Sequence, residues 1–193
     1  MTFSKSKLTV AARLALLTAL QVVLSRFASI ETLELKLGFS FVPEMFAGAL
    51  YGIPGGALVC GLSDLLGALL FPSGPFFPGY TVTAVLRGVI FGAFFYHKRN
   101  RRKLLVTLGV YTLICVVITL FLNTLNIAVQ YGYILPLQKG TADITLANIP
   151  KKFIALLPTR VTEAVVMVPI ETVVTAALLN QYRLDLRLLK TWW

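Results

Sequence analysis

The stretch Gly55–Tyr96, GGALVCGLSDLLGALLFPSGPFFPGYTVTAVLRGVIFGAFFY, decides the fold. Two apolar runs, 55–71 and 80–96, flank a turn rich in proline, glycine and phenylalanine, with Asp64 in the first run and Arg87 in the second. Apolar runs of this length, broken by Pro-Gly punctuation, read as two antiparallel helices in lipid. Both are shorter than the ~20 residues of a simple span, so they require neighbours, tilt or a thinned bilayer. Ionisable groups are costly in such runs and face protein or an aqueous cavity. Asp64 precedes Phe71, and Arg87 follows Tyr80, by the same number of residues, which puts both ~10 Å below the outer surface. They are expected to form a structural ion pair, adding specificity more than stability.

Outward from this hairpin the rest of the chain is of one kind. Its 193 residues are 57% hydrophobic and only 13% charged, and mean hydropathy is +0.80. Such a composition rules out a disordered chain, a disulfide scaffold and a free nucleic-acid binder. The expected fold is all-α: a polytopic membrane bundle of six transmembrane helices in a single domain, 1–193. The spans run over about 8–28, 39–52, 55–71, 80–96, 104–125 and 158–179, the last opening at Pro158, a favoured first-turn residue. Lys5, Lys7 and Arg13, then Lys98–Lys103, then Arg183, Arg187 and Lys190 fall on one side of this topology. By the positive-inside rule that side, with both termini, is cytoplasmic. Outside lies a long connection, about 126–157, whose apolar pieces are expected to form a lid.

Catalysis is poorly provided for, and no enzyme activity is expected. His97 sits among cations at a helix end, Cys60 and Cys115 are small hydrophobes in apolar runs, and no phosphate-binding loop or metal motif is present. The expected metal set is empty, no cofactor is implied, and 18 Lys and Arg against 8 Asp and Glu reflect membrane topology rather than nucleic acid. At the outer mouth, Arg26, Asn123, Asn126, Arg160 and Glu163 are suited to an anionic, hydrogen-bonding solute. Arg160 and Glu163 are spaced i,i+3, so an ordinary intrahelical pair fits them equally well. Phe76, Phe77 and Tyr80 fit either an interfacial anchor or a surface for a flat ring, and Thr81 fits a helix cap or a ligand contact. Glu44 and Glu171 have no assigned partner. Ala11, Ala15 and Ala19 form a stripe of small residues that permits close approach of another helix.

The segment Asp64–Thr81, DLLGALLFPSGPFFPGYT, with the Ala15-Leu-Leu-Thr-Ala19 stripe, resembles the substrate-binding S-component of an energy-coupling factor (ECF) vitamin transporter, most closely the folate-type family. The resemblance extends over essentially the whole chain. It implies a multi-pass protein of a prokaryotic cell membrane that captures a vitamin at the outer face. The alanine stripe would dock on a transmembrane coupling subunit, which carries two cytoplasmic ATPase subunits. ATP is used by those partners, and the S-component topples to turn its site inward. For folate as the transported ligand, Arg26 and Arg160 would take the glutamate carboxylates. Asn123, Asn126 or Glu163 would read the pterin edge, with Phe76, Phe77 or Tyr80 against the ring.

Three other readings remain open at this point. The same mechanism would serve pantothenate or another small anionic vitamin, with less use for aromatic stacking. A membrane-embedded enzyme would need intramembrane His or acidic clusters, and a stand-alone channel or secondary transporter would work without ATPase partners.

Overall fold

The computed structural model describes residues 5–31, 36–72, 76–96, 108–111, 113–114, 117–131 and 148–189. These form a helical protein: α1 (Lys5–Arg26), a ribbon of β1 (Ser29–Glu31) and β2 (Lys36–Gly38), α2 (Phe41–Leu70), α3 (Pro78–Phe95), a π-helical segment Ile118–Asn123 running into α4 (Thr124–Val129), and α5 (Asn148–Leu189). The strands pair antiparallel with Ser29 opposite Gly38 and Glu31 opposite Lys36. Among the described residues, four helices are long and apolar enough to cross a membrane: Lys7–Arg26, Phe41–Leu70, Pro78–Phe95 and Ile149–Leu178. Their outer faces are greasy, with Leu16, Leu69 and Val173 each about 70% exposed, as suits lipid rather than water.

Local chemistry sets the ends of these helices. At the end of α1, the Ser29 hydroxyl donates to the Ser25 carbonyl, satisfying an oxygen that the last turn leaves free, and the Ser25 hydroxyl bonds back to the Val22 carbonyl. Pro72 forces Phe71 out of helical geometry and ends α2, whose last turn closes with the Phe71 N–H on the Gly67 carbonyl at 3.0 Å. Pro78 opens α3 at its first turn, where a missing N–H costs nothing.

Spans expected at 39–52 and 55–71 are joined in α2 through Gly52, whose φ of 70° and ψ of −159° suit glycine alone. Neighbours show what happens there. A Cβ on Gly48 would lie 2.7 Å from the Gly92 amide, and one on Gly52 would lie 3.2 Å from the Tyr96 ring. Past Gly52, Ile53 is back beside Gly92, Gly56 is against Gly88, and Gly61 faces Val85. Thus α2 runs parallel to α3 before Gly52 and antiparallel after it. Glycine at 56, 88 and 92 lets the backbones touch, which is how helices gain packing contacts in lipid.

Two boundaries differ from expectation for physical reasons. The last helix does not open at Pro158: it begins at Asn148 and carries both Pro158 and Pro169 in its interior. Beside each proline a threonine hydroxyl bonds back one turn, Thr162 donating to the Pro158 carbonyl at 3.0 Å and Thr172 to the Val168 carbonyl at 2.7 Å, a back-bond that often bends helices. The flanks of the expected lid are helical: 124–131 continue the helix after the π-helical segment, and 148–157 belong to α5. Residues 132–147, the middle of that connection, and all of 97–107 lie outside the described residues.

One end of the bundle is plugged by Phe41, Met45, Ala49, Phe91, Phe95, Leu108 and Tyr111, with Val174 and Leu178 of α5 packed against them. The Tyr111 ring lies 4.8 Å from Phe91 and 5.1 Å from Phe95, within the favourable range for aromatic pairs. Because Gly88 meets the backbone of Gly56 with no room for a side chain, Gly88→Val is expected to destabilise the detergent-solubilised protein by about 1–3 kcal/mol or more. Val82→Leu, at an exposed position of α3, should leave the melting temperature unchanged in the same thermal-shift assay.

Candidate functional site

Above the aromatic plug is a cavity of about 550 Å³, bordered by α1, α2, α3, the π-helical segment and α4, and α5. This volume is in the range that encloses a drug-sized molecule. At its floor, the Arg87 guanidinium lies 3.2 Å from the Glu44 carboxylate and 3.4 Å from that of Glu171. Glu44 also accepts from the Gln21 amide at 2.9 Å, and Glu171 from the Tyr111 hydroxyl at 2.6 Å. Gln21 and Glu44 are each 4% exposed. The chain of contacts therefore ties α1, α2, α3, α5 and the 108–111 turn together through one arginine.

This replaces the expected pairing of Asp64 with Arg87. The glycine contacts fix the register of α2 against α3, and that register sets Asp64 beside Thr81, whose hydroxyl donates to it at 2.6 Å. From Thr81 to Arg87 the helix climbs about 9 Å. Equal residue counts from the two ends misplace the pair, because α3 starts earlier, at Pro78, and α2 stops at Leu70. Glu44 and Glu171, which the sequence leaves without partners, are the acids that Arg87 meets.

Higher in the cavity, Arg26, Asn123, Arg160, Glu163, Phe76, Phe77 and Tyr80 all border the space. Arg160 and Glu163 are joined as an i,i+3 ion pair and are 4% and 7% exposed, and the Arg160 Nε is buried without a hydrogen-bond partner among the described residues. Phe77 packs edge-on to Tyr80 with ring centroids 5.8 Å apart. The Tyr80 hydroxyl donates to the Gln130 side chain at 2.7 Å. Asn126 and Thr81 are not at the cavity wall. Asn126 donates to the Thr83 hydroxyl at 2.9 Å, and Thr83 in turn to the Gly79 carbonyl, so each of these two residues holds a neighbour that lines the space. Ala11, Ala15 and Ala19 are exposed on α1, in a stripe adjacent to buried Thr18, Gln21 and Val22.

The comparisons with known proteins agree with this architecture. Residues 9–179 match the family model described as ECF transporter, substrate-specific component. The chain is an ECF-transporter S-component. Members of that family are substrate-binding components of transporters, not enzymes, and they work with partners of the ECF module. This S-component is 35% identical over 127 residues to the folate transporter FolT of Clostridium novyi (strain NT), covering 65% of the chain and 72% of the relative. It is 30% identical over 169 residues to the folate transporter FolT of Leuconostoc mesenteroides subsp. mesenteroides, covering 86% and 82%. A crystal structure of FolT bound with folic acid superposes with a TM-score of 0.67 at 30% identity, covering 94% of this S-component and 96% of that chain.

Sequence reasoning missed several residues that border the cavity: Gln21, Ser63, Gln130 and Met167, besides Glu44 and Glu171. The signal was helical spacing. Gln21 and Ser25, Thr83 and Arg87, and Met167 and Glu171 are i,i+4 pairs, each of which puts two side chains on one helix face. The π-helical segment before α4, a feature frequent at functional sites, is not visible in a hydropathy pattern.

Removing Arg87 strands two acids in a poorly solvated site. Arg87→Met is expected to destabilise the S-component by about 3–5 kcal/mol, read as a loss of thermal stability in detergent. Asp64→Asn, which touches only the Thr81 contact, should cost about 1 kcal/mol. Equal losses from the two substitutions would restore the Asp64–Arg87 pairing.

Proposed function

We propose that this chain binds folate at the outer face of a prokaryotic cell membrane and delivers it as the S-component of an ECF transporter. The observation that carries the reading is the cavity itself: a membrane-embedded pocket with Arg26 and buried Arg160 among aromatic rings, in a chain similar over nearly its full length to a FolT bound with folic acid. Arg26 and Arg160 take the glutamate carboxylates, since guanidinium forks match carboxylates bidentately. Asn123 reads the pterin edge directly, Asn126 supports it from behind as the partner of Thr83, and Glu163, at the cavity wall, holds Arg160. Phe76, Phe77 and Tyr80 pack on the flat rings, and Thr81 holds Asp64 at the rim.

In this reading the protein crosses the membrane six times with both termini in the cytoplasm. The reversal at Gly52 supports it, because α2 then supplies two passes. The exposed stripe of Ala11, Ala15 and Ala19 docks on a transmembrane coupling subunit bound to two cytoplasmic ATPase subunits. Hydrolysis of ATP by those subunits drives toppling of the S-component and release of folate inward. No cofactor is held by this chain.

Isothermal titration of the purified S-component with folic acid is expected to show one site per chain, and Arg160→Gln is expected to weaken it by about 10-fold or more, the loss of a charge-assisted hydrogen bond. Binding of pantothenate in place of folic acid would overturn the substrate. In vesicles, uptake is expected only when the coupling subunit, both ATPase subunits and ATP are present.

A further inference from the structure

Among the described glycines, Gly67 is the one whose missing side chain leaves room for a charged group. A Cβ built there would lie 2.8 Å from Nε, 3.2 Å from Nη2 and 3.4 Å from Cζ of Arg26, and these are its three nearest atoms. Other glycines of α2 and α3 have different neighbours. Gly48, Gly56, Gly88 and Gly92 each meet the backbone of a facing helix segment, Gly61 meets Val85, and Gly79 meets Phe77 and Asn126. Close helix packing accounts for the first four. It does not account for Gly67, whose neighbour is the end of a long side chain from α1.

The local backbone gives no reason for glycine either. Gly52 is the glycine with positive φ among the described residues, and Gly67 sits inside α2, where its carbonyl accepts from the Phe71 N–H at 3.0 Å. Alanine is the better helix former at such a position. Asp64, Gly67 and Ala68 are spaced i, i+3 and i+4 and so share one face of α2. Asp64 and Ala68 border the cavity, and Gly67 is buried. Just past the helix end, Phe71 packs edge-on to Phe27, with ring centroids 5.1 Å apart. That contact holds the end of α1 against the end of α2, one residue beyond Arg26. The guanidinium therefore lies over Gly67, and it is Arg26 that borders the cavity at this point.

We infer that Gly67 is a positioning residue for ligand binding: the absence of its side chain lets the Arg26 guanidinium rest against α2 at the cavity wall. An added methyl group displaces only the far end of a flexible side chain, so the fold survives it. The guanidinium must nonetheless move out until the contact reaches the ordinary 3.4–4 Å. Bidentate, charge-assisted bonds to a carboxylate depend on where the fork stands, and the displaced fork binds an anionic ligand less well. The inference rests on the folate reading above and on Arg26 as a ligand contact, and adds the residue that sets where Arg26 stands.

Calorimetric titration of the full chain with folic acid in nanodiscs, over a double-mutant cycle of Gly67→Ala and Arg26→Ala, tests it, with the melting temperature of each variant measured alongside. Arg26→Ala is expected to weaken binding by about 10-fold or more. Gly67→Ala is expected to weaken it by about 3- to 10-fold when Arg26 is present, and by less than about 2-fold when Arg26 is already alanine. Its melting temperature should be no lower than that of wild type. Gly109→Ala, at a glycine with nothing within 4 Å of a built Cβ, should bind as wild type does. Equal weakening by Gly67→Ala in both backgrounds would overturn the inference, because Gly67 would then act without Arg26. So would unchanged affinity in Gly67→Ala or in Arg26→Ala. A lowered melting temperature or lost folding in Gly67→Ala would overturn it too, as the mark of a packing residue. Failure of wild type to bind folic acid removes the folate reading, and the inference with it.

Discussion

A guanidinium in the middle of an apolar helix has to be neutralised where it stands, and Arg87 is neutralised by two carboxylates from different helices. Glu44 reaches it from the start of α2 and Glu171 from the middle of α5. Each acid is also held by a neutral donor, Gln21 or Tyr111. Five elements thereby meet at one point, and a cavity bordered by polar side chains is left above it. Packing alone would not select this arrangement, because lipid solvates leucine as well as a neighbouring helix does. A satisfied ionic cluster has few alternative partners and so favours one arrangement of the helices.

The cluster depends in turn on close backbone contact. Gly56, Gly88 and Gly92 allow α2 and α3 to touch, and Gly52 supplies the left-handed turn that brings the first part of α2 back alongside. With side chains at those positions the helices would separate, and Glu44 would no longer reach Arg87. The same register sets Asp64 at Thr81 and Tyr80 near Gln130, positioning the rim of the cavity as well as its floor. On the proposed function, toppling would carry this pocket as one unit.

Much of this was legible in the sequence, and the limits are instructive. Hydropathy marked the apolar helices, and the Pro-Gly turn after Phe71 marked the end of one helix and the start of the next. The polar residues inside apolar runs, Glu44, Arg87 and Glu171, were visible as groups that need protein around them. Their pairing was not, because it depends on helix register, which is set by glycines whose neighbours a linear pattern does not show. Asp64 looked like the partner of Arg87 only while both helix ends were counted from the turn. Pro158 reads as a helix start because the rule for first-turn proline is local, whereas α5 begins at Asn148 and passes through it. Gln21, buried on α1 beside Glu44, reads in one dimension as an unremarkable glutamine near a membrane surface.

The most direct test of the account is an experimental structure of the chain with folic acid bound. The expected result is density for the ligand between Arg26 and the floor, with Arg87 bridging Glu44 and Glu171. Ligand density outside this cavity, or Arg87 turned away from both glutamates toward Asp64, would contradict it.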